Sequence, residues 1–178
     1  QLVKEYPIRN EHGGASISGF CESRNHEIII SVWNGRVYHL DKEKDEFIPY
    51  PDKMRSRNPT VMVQDNEQDY FWLATWGDGV VRFDPSAPGD SMFVYSEIPV
   101  NAAGEEDGLI LSLAQDDKLG DIWLTTGHDF MALQIQPDRT LKQLKFPAGL
   151  LPVNHMLVEV LKGKECLWVS AFDRPSFI

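Results

Sequence analysis

Ile110-Leu111-Ser112-Leu113-Ala114-Gln115-Asp116-Asp117-Lys118-Leu119-Gly120-Asp121-Ile122-Trp123-Leu124-Thr125-Thr126 reads as two short strands around a tight turn. The apolar run from Ile110 to Ala114 makes the first strand. The polar, glycine-containing stretch from Asp117 to Asp121 makes the turn, and Trp123 anchors the second strand. The anchored strand recurs as Ile28-Ile29-Ile30-Ser31-Val32, Phe71-Trp72-Leu73-Ala74-Thr75 and Leu167-Trp168-Val169-Ser170-Ala171. With Ile29, Trp72, Trp123 and Trp168 equivalent, the steps are 43, 51 and 45 residues. A period in the forties built from short strands is the signature of a β-propeller blade.

Working outward, the position seven residues before each anchor holds Glu22, Asp65, Asp116 or Leu161, an acid in three of four copies. After the anchor a glycine turn leads to a third strand, as in Trp33-Asn34-Gly35 before Val37-Tyr38-His39-Leu40-Asp41. Trp76-Gly77-Asp78-Gly79 precedes Val80-Val81-Arg82-Phe83-Asp84 in the same way. A fourth strand ends on an apolar or aromatic residue and proline: Tyr50-Pro51, Ile98-Pro99, Phe146-Pro147. Proline lacks an N–H for a ladder and suits an outermost strand.

The same pair occurs at Tyr6-Pro7. The expected all-β organisation is therefore a propeller segment of four-stranded antiparallel blades. It comprises an outer strand of a preceding blade (1–9), three blades (15–52, 58–99, 108–149) and inner strands of a following one (154–178). That layout is expected of a piece of a larger propeller. The alternative is a closed four-bladed ring in which Leu2 to Tyr6 zips onto the last unit, leaving no exposed sheet edge.

The chain is 42% apolar and 25% charged, as ordinary folded domains are. No apolar run approaches the ~20 residues of a membrane helix, and no 3.6-residue apolar period is sustained. A net charge of −10 argues against a nucleic-acid partner. Cys21 and Cys166 read as small buried hydrophobes rather than as a disulfide. No zinc-type spacing, nucleophile elbow or phosphate loop is visible, so no metal or cofactor is expected.

The run from Ile110 to Thr126 resembles the two-component regulator propeller repeat. Trp72-Leu73-Ala74-Thr75-Trp76-Gly77-Asp78-Gly79-Val80-Val81-Arg82-Phe83-Asp84 is similar to that repeat's second half, in which a tryptophan segment leads through glycines to an apolar-x-Arg-aromatic-Asp strand. The glycine usual after the Trp-apolar pair is replaced by Ser31, Ala74, Thr125 and Ser170. Ile29 stands where tryptophan belongs, and Leu161 where the acid belongs.

The resemblance implies a non-catalytic periplasmic sensor region of a hybrid two-component protein, of the kind found in Bacteroides-like bacteria that use glycans. An oligosaccharide ligand, a homodimeric receptor, and a kinase and membrane helix elsewhere in the protein are further implications.

In such blades the loops joining strands two to three and four to one share a face. That face would carry the candidate ligand residues Trp33, Asn34, Trp76, Asp78, Arg55, Arg57, His128 and Asp129. A tryptophan ring covers the apolar face of a sugar while amides and carboxylates bond its hydroxyls. Arg55 and Arg57 would suit an acidic glycan. The competing reading packs Trp33 and Trp76 between blades and leaves the charged loops simply solvated, Glu105, Glu106 and Asp107 among them. Trp72, Trp123 and Trp168, mid-strand, are expected in the core. A propeller lyase or hydrolase, or a pure protein-interaction module, is the alternative function.

Overall fold

The computed structural model describes residues 3–8, 15–51, 58–101, 103–116, 120–126, 130–136, 138, 140–144, 153–161, 164–171 and 175–177. The first sheet comprises β1 (Ser16–Glu22), β2 (Ile28–Trp33), β3 (Val37–Asp41) and β4 (Glu46–Pro49). The second holds β5 (Pro59–Gln64), β6 (Phe71–Thr75), β7 (Val80–Phe83) and β8 (Phe93–Tyr95). The third holds β9 (Ile110–Gln115), β10 (Ile122–Thr126), β11 (Phe130–Ile135) and β12 (Leu141–Leu144). The last is β13 (Val153–Leu161), β14 (Lys164–Ala171) and β15 (Pro175–Phe177). Each sheet is an antiparallel meander in chain order. The first strands of successive sheets, β1, β5, β9 and β13, are neighbours, as the innermost strands of propeller blades are. The all-β propeller expected from the repeat is the observed architecture.

Burial on both sheet faces explains why the anchored strands are continuously apolar. In β6 every residue is buried. Phe71 and Leu73 join Ile29, Val37, Met62 and Phe83 between the first and second sheets. Trp72 and Ala74 point the other way and join Ile110, Leu113, Ile122 and Leu124 of the third sheet. Trp72 is fully buried. Trp123 and Trp168, expected to match it, are half-buried. The same alternation turns Trp123 away from the third sheet's contact with the second and toward the side of β13, which belongs to a three-stranded sheet. The two cysteines are free thiols and half-buried rather than enclosed.

Every innermost strand carries one extra residue at the matching place: Ser18, Thr60, Leu111 and Asn154 lie opposite register shifts in β1, β5, β9 and β13. Such a bulge sharpens the twist where strands crowd a common axis. The Thr60 hydroxyl uses the position to donate to the Ile110 carbonyl of the next inner strand (2.7 Å). At Gly19 the strands come so close that a Cβ would sit 2.5 Å from the Ser31 hydroxyl and 3.2 Å from the Met62 nitrogen.

The acid seven residues before the anchor has a structural role. The Trp72 indole N–H donates to Asp65 Oδ2 at 2.8 Å, both groups buried. Asp65 Oδ1 accepts the N–H groups of Glu67 and Gln68, closing the turn. Neighbouring turns then clasp each other. Arg24 donates to the carbonyls of Asp65 and Asn66. Asn66 donates its backbone N–H to Gln115 Oε1 (2.8 Å) and its amide to the Asp116 carbonyl (3.0 Å). In the first unit, where the anchor is Ile29, Glu22 faces outward and contacts His26 at 2.6 Å instead. Residues 3–8 lie beside the first sheet, with Tyr6 edge-on to Phe47 at 5.4 Å and its hydroxyl donating to Asp45 (2.9 Å). None of them pairs with a strand among the described residues.

Burial alone would push the Asp65 carboxyl up, but the N–H groups of Glu67, Trp72, Gln68 and Gln115 outweigh it and hold it below the usual carboxylate range. A depressed folded-state pKa adds stability above the unfolded value of about 4, and that stability is lost as pH falls through the folded value. Replacing Asp65 by alanine leaves the buried indole N–H without its acceptor and should cost about 1–3 kcal/mol at neutral pH. Denaturant titrations across pH 2–7 should show the wild-type advantage over Asp65→Ala shrinking in acid.

Candidate functional site

The loops between second and third strands are tight turns whose backbone needs explain their residues. In the first sheet the Gly35 N–H donates to the Val32 carbonyl, and Asn34 between them takes a left-handed φ of 54°. Asparagine tolerates that conformation better than most side chains. In the second sheet Gly77 has a φ of 118°, which only glycine adopts readily, and Gly79 is left-handed at 67°. The Thr75 hydroxyl binds inside this loop, donating to the Gly79 carbonyl (2.8 Å) and accepting the Asp78 N–H (3.0 Å).

The blade connections press onto these turns. Trp76 N–H donates to the Asn58 carbonyl, while Gly77 and Gly79 N–H both donate to the Gly108 carbonyl. Gly108 approaches so closely that a Cβ would lie 2.4 Å from the Gly77 oxygen. The connection itself is ordered by Asn101, whose side-chain oxygen accepts the N–H groups of Ala103 and Glu105. Its Val100 is clamped by the Gln143 amide from β12.

On this scaffold Trp33 and Trp76 meet edge to face, ring centroids 5.5 Å apart and planes at 88°. They bridge the first and second sheets. Trp33 is half-buried and Trp76 is 50% exposed. The pair thus forms an aromatic ridge partly open to solvent rather than core filler. Asn34 is exposed and Asp78 half-exposed on the two turns that carry the ridge. Arg55, Arg57, His128 and Asp129 lie outside the described residues. In the acidic connection Glu105 and Glu106 are exposed, but Asp107 is buried rather than solvated, its N–H donating to the Pro99 carbonyl.

The candidate residues suggested by the sequence all belong to the loops of this face. On the opposite side, between the first and second sheets, is a cavity of about 320 Å³ with Ile29, Tyr50 and Phe71 among its walls and Glu27, His39 and Asp69 at its polar rim. The signal for it was on the page of the sequence: Ile29 is the one anchor that is not tryptophan. Among the described residues no group of three or more His, Cys, Asp or Glu side chains is arranged to hold a metal ion.

No family model and no curated protein matches the chain. Solved structures match it by fold. The extracellular domain of BT3049 from B. thetaiotaomicron, a protein assigned as a hybrid two-component system, superposes with a TM-score of 0.62 at 20% identity, over 96% of this chain and 22% of that one. A catalytically inactive virginiamycin B lyase from Staphylococcus aureus, with quinupristin, gives 0.69 at 16% identity, over 96% and 53%. The β-propeller domain of Myceliophteria thermophila Cps50 gives 0.61 at 12% identity, over 93% and 52%. The chain spans from 22% to 53% of the length of these structures. At such identities the likeness establishes the fold, and that fold is shared by extracellular domains of Bacteroides two-component systems, in line with the repeat resemblance.

The Gly108–Gly77 approach yields a direct test of how the ridge is held. Gly108→Ala forces the blade connection off the turn and should destabilise the chain by about 1–3 kcal/mol, as overpacking does. The shift should appear both in thermal unfolding and as an altered tryptophan emission from the loosened Trp33–Trp76 pair.

Proposed function

We propose that the chain is a non-catalytic, extracytoplasmic recognition propeller of a two-component signalling protein, and that it binds an oligosaccharide on the Trp33–Trp76 face. The observation that carries this reading is the ridge itself: a half-exposed Trp76 braced edge-on by Trp33, with Asn34 and Asp78 on the same turns. A braced indole offers a flat apolar surface at little conformational cost, which suits stacking on a sugar ring. The amide and carboxylate beside it can bond hydroxyls. Arg55 and Arg57 would add affinity for a uronic-acid unit, and His128 and Asp129 would add polar groups for its hydroxyls. The fold shared with two-component extracellular domains supports the sensor role, with control of a kinase through a membrane helix elsewhere in a homodimeric receptor. No helix among the described residues is long and apolar enough to cross a membrane.

The fold match to virginiamycin B lyase keeps a second reading in play, a propeller lyase acting from a loop face. Catalysis needs at least two convergent titratable groups. Asp78 is the one carboxylate in the two described turns that bear the ridge.

The two readings part on turnover. Calorimetric titration with a panel of plant and host oligosaccharides should find a binder whose chain length is unchanged after prolonged incubation. Trp76→Ala should weaken it at least about tenfold, the loss of ~1.4 kcal/mol or more expected for a stacked aromatic. Shortened products that disappear in Asp78→Asn would overturn the non-catalytic reading. Binding that survives loss of both tryptophans would move the ligand elsewhere.

A further inference from the structure

The two described grooves between complete sheets are built from equivalent residues, and the substitutions between them are informative. In the second groove Trp72 lies opposite Arg82 in the β6–β7 register, with Tyr70 two residues before it. Tyr70 packs edge-on against Trp72 at 5.4 Å, and the Arg82 guanidinium covers the Tyr70 ring at 5.3 Å. In the first groove the same three places hold Ile29, His39 and Glu27, with Ile29 opposite His39 in the β2–β3 register. An aromatic–cation stack is replaced by a branched aliphatic, an imidazole and a carboxylate. The 320 Å³ cavity lies over these substitutions, with Glu27 and His39 on its lining and the buried Ile29 and Phe71 (0% and 1% exposed) beneath its floor.

The walls define what could enter. Tyr50 stands over the floor, its ring 4.9 Å from His39 and 5.0 Å from Phe83. Burial and the nearby Glu27 carboxylate push its phenol up to about 12, so it remains a hydrogen-bond donor. Glu27 is exposed at the rim, and Asp69 faces Arg24 at 3.8 Å. Arg24, the cation of the lining, already donates to the carbonyls of Asp65 and Asn66, so its charge is engaged. Two carboxylates and an engaged cation disfavour an anion. The half-buried rings of Tyr50 and His39, with a rim of acceptors and donors, suit a compact molecule with one apolar face and several hydroxyls.

The geometry points to a second binding site in this groove, where isoleucine stands at a tryptophan position, for a neutral, hydroxyl-rich small molecule of the size of one sugar ring. It rests on the reading of the chain as a saccharide-recognising propeller, and it lies on the face opposite the Trp33–Trp76 ridge. A sensor with both sites would read an oligosaccharide on one face and a monosaccharide unit between two blades on the other.

The test titrates the whole chain with glucose, galactose, mannose and xylose, and in parallel with glucuronate and glucosamine. Binding of at least one neutral sugar in the millimolar range is expected, with its uronate at least about tenfold weaker. Ile29→Trp restores the anchor found in the other units, seven residues after the acid Glu22, and should abolish monosaccharide binding by filling the groove. Because that variant could disturb folding, Glu27→Gln at the exposed rim provides an independent readout, expected to weaken binding several-fold with an unchanged melting temperature. Trp76→Ala should leave monosaccharide binding intact while weakening the oligosaccharide, which separates failure at this site from failure of the ridge. Absence of neutral-sugar binding, affinity unchanged in both Ile29→Trp and Glu27→Gln, or tighter binding of glucosamine than of glucose would each overturn the proposal, the last by assigning the rim to a cation.

Discussion

The hydrogen bond from the buried Trp72 indole to Asp65 is the contact on which the described structure turns. An indole buried between sheets contributes a large apolar area, but its N–H must find an acceptor or the burial is penalised. Asp65 supplies that acceptor and with its other oxygen closes the turn between β5 and β6. The turn so fixed is gripped by Arg24 from one neighbouring blade and meets Gln115 of the other. One carboxylate therefore joins strand packing, hairpin geometry and blade-to-blade registry. Hydrophobic contact is not directional, so in sheets apolar on both faces such bonds, with that of Thr60 to the Ile110 carbonyl, set the angle between neighbours.

The two candidate sites follow from where this scheme is completed and where it is not. On the loop face the blade connection carrying Gly108 lies hard against Gly77 and Gly79, so Trp76 is presented from backbone that is bonded on both sides. Rigid presentation is what a recognition surface needs, since little freedom is lost on binding. On the opposite face the first blade lacks the indole, and its acid, Glu22, is left at the surface with His26. The groove there stays open beside Tyr50. A repeat protein can thus gain a pocket without new loops, by leaving one copy of its packing motif unfilled.

The fold was legible in the sequence because its signal is periodic. Strand alternation, the anchor spacing and the turn residues all recur, and each copy supports the others. The acid before the anchor was visible as a pattern, yet its partner was not, because a seven-residue spacing across a hairpin gives no sign of which side chains meet. The candidate residues were legible only as types. That Trp33 and Trp76 touch at 5.5 Å could not be read from positions 43 residues apart on different blades. Nor could the burial of Asp107 within an acidic run, which follows from the local pairing of Val100 with Glu106.

What the sequence determined by itself was the blade: its strand count, its anchors, its turns and the departure at Ile29. These are local matters of periodicity, backbone conformation and side-chain volume, and a single chain segment encodes them. What only the tertiary structure decided was the meeting of blades. The edge-to-face tryptophans, the Arg24 and Asn66 clasps and the cavity beside Ile29 all arise between sheets. There the partner of each residue is fixed by how the inner strands pack around their common axis, and no spacing along the chain carries that information.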